Sequence, residues 1–148
     1  MAAALGLDAT GVDTAPTAIA TAERKALERG LTARFLVHDA LDLGSLGETF
    51  DTVIDSGVYH IFDDEDRPRY VDSLETVTGP GARLFLLCFS DLQPGDFGPR
   101  RISERELRDS FGAGWRIDGL ERTTMHTVRS PEGVHAWLVS MTRLRAAR

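Results

Sequence analysis

"GVDTAPTAIA", Gly11–Ala20, decides how this chain is read. A short apolar segment runs into an acid, then into a proline, then into residues at helical spacing. In "TAPTAIATAERKALERG" Ala15, Ile19, Ala22 and Ala26 share one helical face, Pro16 falls in the first turn and Gly30 provides the stop. "ATGV" before Asp13 is then a strand, and the acid stands where the strand hands over to the helix.

The same pattern recurs downstream. "RFLVHD" (Arg34–Asp39) places Phe35, Leu36 and Val37 in a row, as a strand covered on both faces would, and "DTVIDS" (Asp51–Ser56) repeats the style. "DEDRPRYVDSLETVTGPG" sets Tyr70, Val71, Leu74, Val77 and Thr78 at helical spacing and closes on Gly79, Pro80 and Gly81, straight before the strand "RLFLLCFS" (Arg83–Ser90). Pro94, Gly95, Gly98 and Pro99 mark a loop. "SEREL" then offers a capping box between Ser103 and Glu106, with Leu107 and Phe111 as the buried side of a short helix. "WRIDGLERTTM" and "VHAWLVSMTRL" flank the turn-forming "RSPEG", which predicts an antiparallel hairpin. The fold class is α/β: a mostly parallel sheet with a C-terminal antiparallel hairpin, in a single domain over residues 1–148.

Composition narrows the function. With 42% hydrophobic and 27% charged residues the 148-residue chain has material for one core. Asp plus Glu outnumber Lys plus Arg by 23 to 17, a net charge of −6, and no basic run suggests a surface that tracks nucleic acid. No apolar stretch approaches the ~20 residues of a membrane helix, and the N-terminal stretch lacks the basic flank of a secretion signal. The only cysteine, Cys88, lies in an apolar run and reads as a core residue, so no intrachain disulfide forms and a reducing, cytoplasmic setting fits. His38, His60, His126 and His135 are scattered without metal-ligand spacing, and "DDED" (Asp63–Asp66) suits a solvated helix start better than a cation site, so no metal is expected.

In open parallel sheets ligands bind beyond the carboxyl ends of the strands. Asp13, Asp39, Asp55, and Ser90 with Asp91 all stand at such ends. A strand-end aspartate also serves as a cap or turn residue; three in succession on one rim favour a ligand. Arg100 and Arg101, after the Gly and Pro loop, are either an anion-holding pair or a solvated one.

"TGVDTAPTAIATAERKA", "FLVHDALDL", the run from Phe50 to Asp91 and the closing hairpin together resemble the S-adenosylmethionine-dependent methyltransferases of the Rossmann-like class, nearest the small-molecule, thiopurine-methyltransferase-like branch. The resemblance covers the chain from about Ala9 into the last strands. It implies S-adenosyl-L-methionine as cofactor and a small-molecule methyl acceptor. Asp13 would accept the ribose hydroxyls, with Thr14 lining the pocket. Asp39 would take the adenine amino group beside the backbone of Ala40 and Leu41, and Asp55 with Ser56 would face the methionine part. An ionised carboxylate only accepts hydrogen bonds, so neither Asp13 nor Asp39 needs to titrate. The sulfonium brings its leaving group already activated, and a general base is optional. His60 is the candidate base or else a packing residue. Tyr59, Phe62 and Phe89 either wall the acceptor or belong to the core.

In such a fold a glycine-rich turn ends the first strand ~20 residues before the ribose acid, whereas only twelve residues precede Asp13 here. "MAAALGLDATGVD" reads instead as the end of a helix, a turn and the family's second strand. The expectation is therefore a sheet truncated at its N-terminal side, through a reading frame begun at an internal methionine, a natural remnant, or a partner that supplies the strand. The expected consequences are exposed sheet edges open to self-association and impaired cofactor binding. A noncatalytic binding or regulatory subunit and a nicotinamide oxidoreductase are the alternative readings.

Overall fold

The computed structural model describes residues 1–96 and 98–145. A single 3₁₀ turn, Ala3–Leu5, is closed by Gly6 in a left-handed conformation. The first strand, β1, is Thr10–Asp13. Helix α1, Pro16–Glu28, begins on its proline, whose missing N–H costs nothing at that position. β2, Arg34–Val37, pairs with β1 in parallel, Asp13 opposite Val37. β3 is Thr52–Ser56, α2 is Asp66–Thr76 and β4 is Arg83–Phe89. Helix α3, Glu104–Phe111, starts on the complete Ser103/Glu106 capping box. β5, Trp115–Met125, and β6, Val134–Arg143, form the closing hairpin.

The strands fall into two sheets, β1–β2 and β3–β4–β6–β5. β3 runs parallel to β4, while β6 inserts antiparallel between β4 and β5. β1 and β3 do not pair with each other, so each keeps one edge outside the ladders. The β1–β2 pair is tied to the rest through the 3₁₀ segment Ala40–Leu46: buried Leu43 donates its N–H to Ser73 Oγ of α2 at 2.9 Å.

The core lies between α2, α3 and one face of the larger sheet. Leu84, Leu86 and Cys88 of β4 alternate into it, with Val139 and Met141 of β6, Tyr70, Val71 and Leu74 of α2, and Leu107 and Phe111 of α3. Each such side chain contributes about 1.5–3 kcal/mol by leaving water. Trp137 satisfies its buried indole on the Ile102 carbonyl at 2.9 Å. Burial pushes the Cys88 thiol up to about 12, with the charges of Asp55 and Glu106 adding to it, so this cysteine is inert packing.

The opposite face departs from the expectation of strands covered on both sides. Ile54 of β3, Phe85 of β4 and Leu138 of β6 are 55%, 37% and 40% exposed. Helices α2 and α3 pack on one side only, so the continuous apolar runs of β3 and β4 reflect strand propensity as well as burial. No helix among the described residues is long and apolar enough to cross a membrane.

Candidate functional site

The parallel ladder brings Asp13 and Asp39 to the same end of neighbouring strands. The ladder continues past β2, where His38 donates its N–H to the Asp13 carbonyl at 2.9 Å, and Asp39 follows at once. Both acids are exposed. Asp13 Oδ1 accepts the N–H of Ala15 at 2.8 Å, and Asp39 Oδ1 accepts that of Leu41 at 2.9 Å, capping the Ala40–Leu46 segment. Each carboxylate thus spends one oxygen on its own turn and keeps Oδ2 without a partner among the described residues. The bland role and the ligand role coexist in one side chain. Thr14 is exposed beside Asp13, and Ala40 and Leu41 are half-buried beside Asp39. Leu41's amide is already committed to Asp39.

Asp55 differs from the other two. It is 2% exposed, and its oxygens accept the N–H of Val58 at 2.8 Å and of Tyr59 at 3.0 Å and the hydroxyl of Tyr70 at 3.0 Å. Burial raises its pKa while these three donors pull it back. Its carboxylate is buried and shapes the turn after β3 through these three contacts. Ser56, one residue on, is exposed at the strand end.

That turn opens on a cavity of about 500 Å³, walled by Ser56, Gly57, His60, Phe89, Arg101 and Met125, by residues 93–96, 98 and 99 and by the turn at 127–130. The volume suits a small organic molecule. Gly57 has φ 89°, and a Cβ there would meet Met125 Cε at 3.1 Å and His60 Nε2 at 3.4 Å. Phe89 forms a wall, edge-to-face with the His60 ring at 4.8 Å and beneath the Arg101 guanidinium at 5.4 Å.

His60 is 4% exposed, and its Nδ1 accepts the backbone N–H of Phe89 at 2.9 Å. Burial, then the nearby charge of Arg101, lowers its pKa from 6.5 to about 4. The ring is therefore neutral at pH 7, and with Nδ1 accepting from Phe89 its proton is on Nε2.

Of the three aromatic candidates, Tyr59 is core and Phe62 is half-buried against it. Tyr59 is fully buried, its hydroxyl donating to Ser110 Oγ at 2.8 Å and its ring packed 5.4 Å from Phe111. Phe62 packs on Tyr70 at 4.9 Å. Neither borders the cavity: in the 3₁₀ turn Tyr59–Ile61 the Tyr59 side chain reaches α3 while its neighbour His60 faces the cavity, and Phe62, just after the turn, packs on α2. The arginine pair also divides. Arg100 bridges Asp64 and Glu106, each at 2.7 Å, whereas Arg101 donates to the carbonyls of Gln93 and Pro99 and borders the cavity. Met125 and the 127–130 turn were not legible as site residues, since nothing in a hairpin's alternation marks one end as a wall. Among the described residues no group of three or more His, Cys, Asp or Glu is placed to hold a metal ion.

Comparison with known proteins completes the description. A family model described as a methyltransferase domain matches residues 1–81. The chain is 36% identical over 124 residues to 2-heptyl-1-hydroxyquinolin-4(1H)-one methyltransferase of Mycobacteroides abscessus, covering 82% of this chain and 55% of that protein. It spans about half the length of the curated relatives it matches. A solved structure concerned with conversion of a disulfide bond into a thioacetal group during echinomycin biosynthesis superposes with a TM-score of 0.85 at 36% identity, over 98% of this chain and 70% of that one. A SAM-dependent methyltransferase of Methanosarcina mazei shares the fold at TM-score 0.81 and 21% identity, over 96% of this chain and 84% of its own.

Proposed function

The chain belongs to the class I, Rossmann-like S-adenosylmethionine-dependent methyltransferases, and from that premise we propose that it binds S-adenosyl-L-methionine along the β1–β2 rim and serves methyl transfer to a small molecule held in the cavity after β3. The observation that carries this reading is the pair of carboxylates, Asp13 and Asp39, at adjacent strand ends, each with one oxygen spent on its own turn and one open. The donor chemistry fits: Asp13 would hold the ribose hydroxyls with Thr14 beside it, and Asp39 the adenine amino group with Ala40 and Leu41 alongside. Ser56, rather than the committed Asp55 carboxylate, would border the methionine part.

When bound, S-adenosyl-L-methionine supplies a methyl group already activated on a sulfonium. The chain's own task is then positioning and exclusion of water. Phe89 and Met125 supply apolar walls, and residues 93–96, 98 and 99 line the same cavity. The acceptor is read as a small molecule and not as nucleic acid, in keeping with the net charge of −6 and the cavity's size. The whole of residues 1–148 would act as one domain.

Calorimetric titration with S-adenosylhomocysteine tests the reading. We expect micromolar or weaker binding, since β1 and β3 do not pair and the adenosine end carries the contacts. Asp13→Ala and Asp39→Ala should each weaken it about tenfold or more, the loss expected for a hydrogen bond to a charged acceptor. No detectable binding, binding indifferent to both substitutions, or preference for a nicotinamide dinucleotide would overturn it. A noncatalytic, cofactor-binding role is the second reading, favoured by the separation of β1 from β3; it predicts the same titration with no methylated product.

A further inference from the structure

His60 is oriented more tightly than a packing residue requires. Its Nδ1 accepts the Phe89 N–H at 2.9 Å, and Phe89 is itself held in the β4–β6 ladder opposite Ala136. The backbone donor therefore dictates the tautomer: the Nδ1 lone pair is used, so the neutral ring carries its proton on Nε2. A base acting through Nε2 would need the other tautomer, with Nδ1–H facing the Phe89 N–H, donor against donor. Nε2 has no hydrogen-bond partner among the described residues, and it stands beside Gly57 on the cavity wall, where a Cβ would come within 3.4 Å of it.

The cavity around that N–H has apolar and cationic members: Phe89 packs edge-to-face on the His60 ring, Met125 lines the same cavity, and the guanidinium of Arg101 lies 5.4 Å from the Phe89 ring. Among the described lining residues, Arg101 and Arg129 bring positive charge to the cavity wall against the carboxylate of Asp96. A neutral donor in this field matches an oxygen that arrives already ionised.

Resting on the methyl-transfer reading above, we infer that His60 is a fixed hydrogen-bond donor, and that the cavity takes a small acceptor carrying an acidic hydroxyl bound as its oxyanion, such as a phenolate. In the transfer step the oxyanion's lone pair forms the new O–C bond, the C–S bond of the sulfonium breaks, and its electron pair stays on sulfur. No proton moves and no base is called for. His60 loses the ambiguity of base or packing residue and becomes the group that aims the oxygen.

The test uses 4-nitrophenol, whose ionised form is read by its visible absorption, and its methyl ether 4-nitroanisole, both with the full chain and without cofactor. The phenolate should bind about tenfold or more tightly than the ether. His60→Ala should erase that preference, and His60→Gln, which keeps an N–H donor, should restore part of it. A preference unchanged in His60→Ala overturns the inference. Should the variants fail to fold, nitrogen-15 NMR of the wild-type histidines decides instead. His60 must show a protonated Nε2 and an unprotonated Nδ1 between pH 5.5 and 8, and the reverse tautomer or an imidazolium at pH 7 refutes the assignment. The two readings fail separately. Loss of S-adenosylhomocysteine binding with the phenolate preference intact removes methyl transfer, whereas the converse removes only this donor role.

Discussion

Acidification from pH 7 to pH 4 should unload the fold through His60. An unfolded chain takes up a proton at this ring near pH 6.5; the folded chain resists until about 4, through burial first and the Arg101 charge second. Between those values the unfolded state binds more protons, so the ring's share of stability is intact above pH 6.5 and drains as pH falls toward 4. At about 1.4 kcal/mol per pH unit the loss amounts to about 3 kcal/mol, a large part of a domain's ~5–15 kcal/mol. Other groups move in different windows or directions. Burial, opposed by hydrogen bonds from Ser103 and Arg100 that outweigh it, leaves Glu106 at about 2, so its contribution is lost only below about pH 4.5. Asp55, raised by burial, gains on acidification. Urea unfolding of wild type and His60→Gln at half-unit steps from pH 7 to 4 isolates the ring as the difference between the two curves. Curves that fall in parallel across that window would refute a His60 held neutral in the fold.

Two further outcomes follow from local geometry. Gly57→Ala should lose about 1–2 kcal/mol in denaturant unfolding, because φ 89° excludes a side chain at little cost and the new Cβ meets Met125; the same variant should weaken 4-nitrophenolate binding by crowding Nε2. Ser103→Ala should cost about 1 kcal/mol, since it removes the acceptor of the Glu106 N–H at the start of α3; wild-type stability in that variant would show the capping box to be idle.

Local grammar made much of this molecule legible. Pro16 and Gly30 bracket α1, the Ser103/Glu106 pair starts α3, and the two sides of "RSPEG" became β5 and β6. These signals act within a few residues of their effect, through caps, φ restrictions and alternation, so the chain order alone exposes them. The adjacency of Asp13 and Asp39 followed because parallel strands joined by a helix must end on one rim.

Only the tertiary structure separated look-alikes. Asp13 and Asp55 both close an apolar run, yet one keeps an open oxygen while the other is surrounded by Val58, Tyr59 and Tyr70. Arg100 and Arg101 are neighbours in the chain, and side-chain direction alone sends one to Asp64 and Glu106 and the other to the cavity. Phe89 faces that cavity while Tyr59 and Phe62 are packed away from it. A wall assembled from the turn after β3, the end of β4, the loop beyond it and the β5–β6 turn depends on contacts between distant segments, whose geometry is decided by packing and by which donor reaches which acceptor. The sequence by itself determined the elements and their order; the direction of each side chain at the rim, and with it the tautomer of His60, was decided by the folded backbone around it.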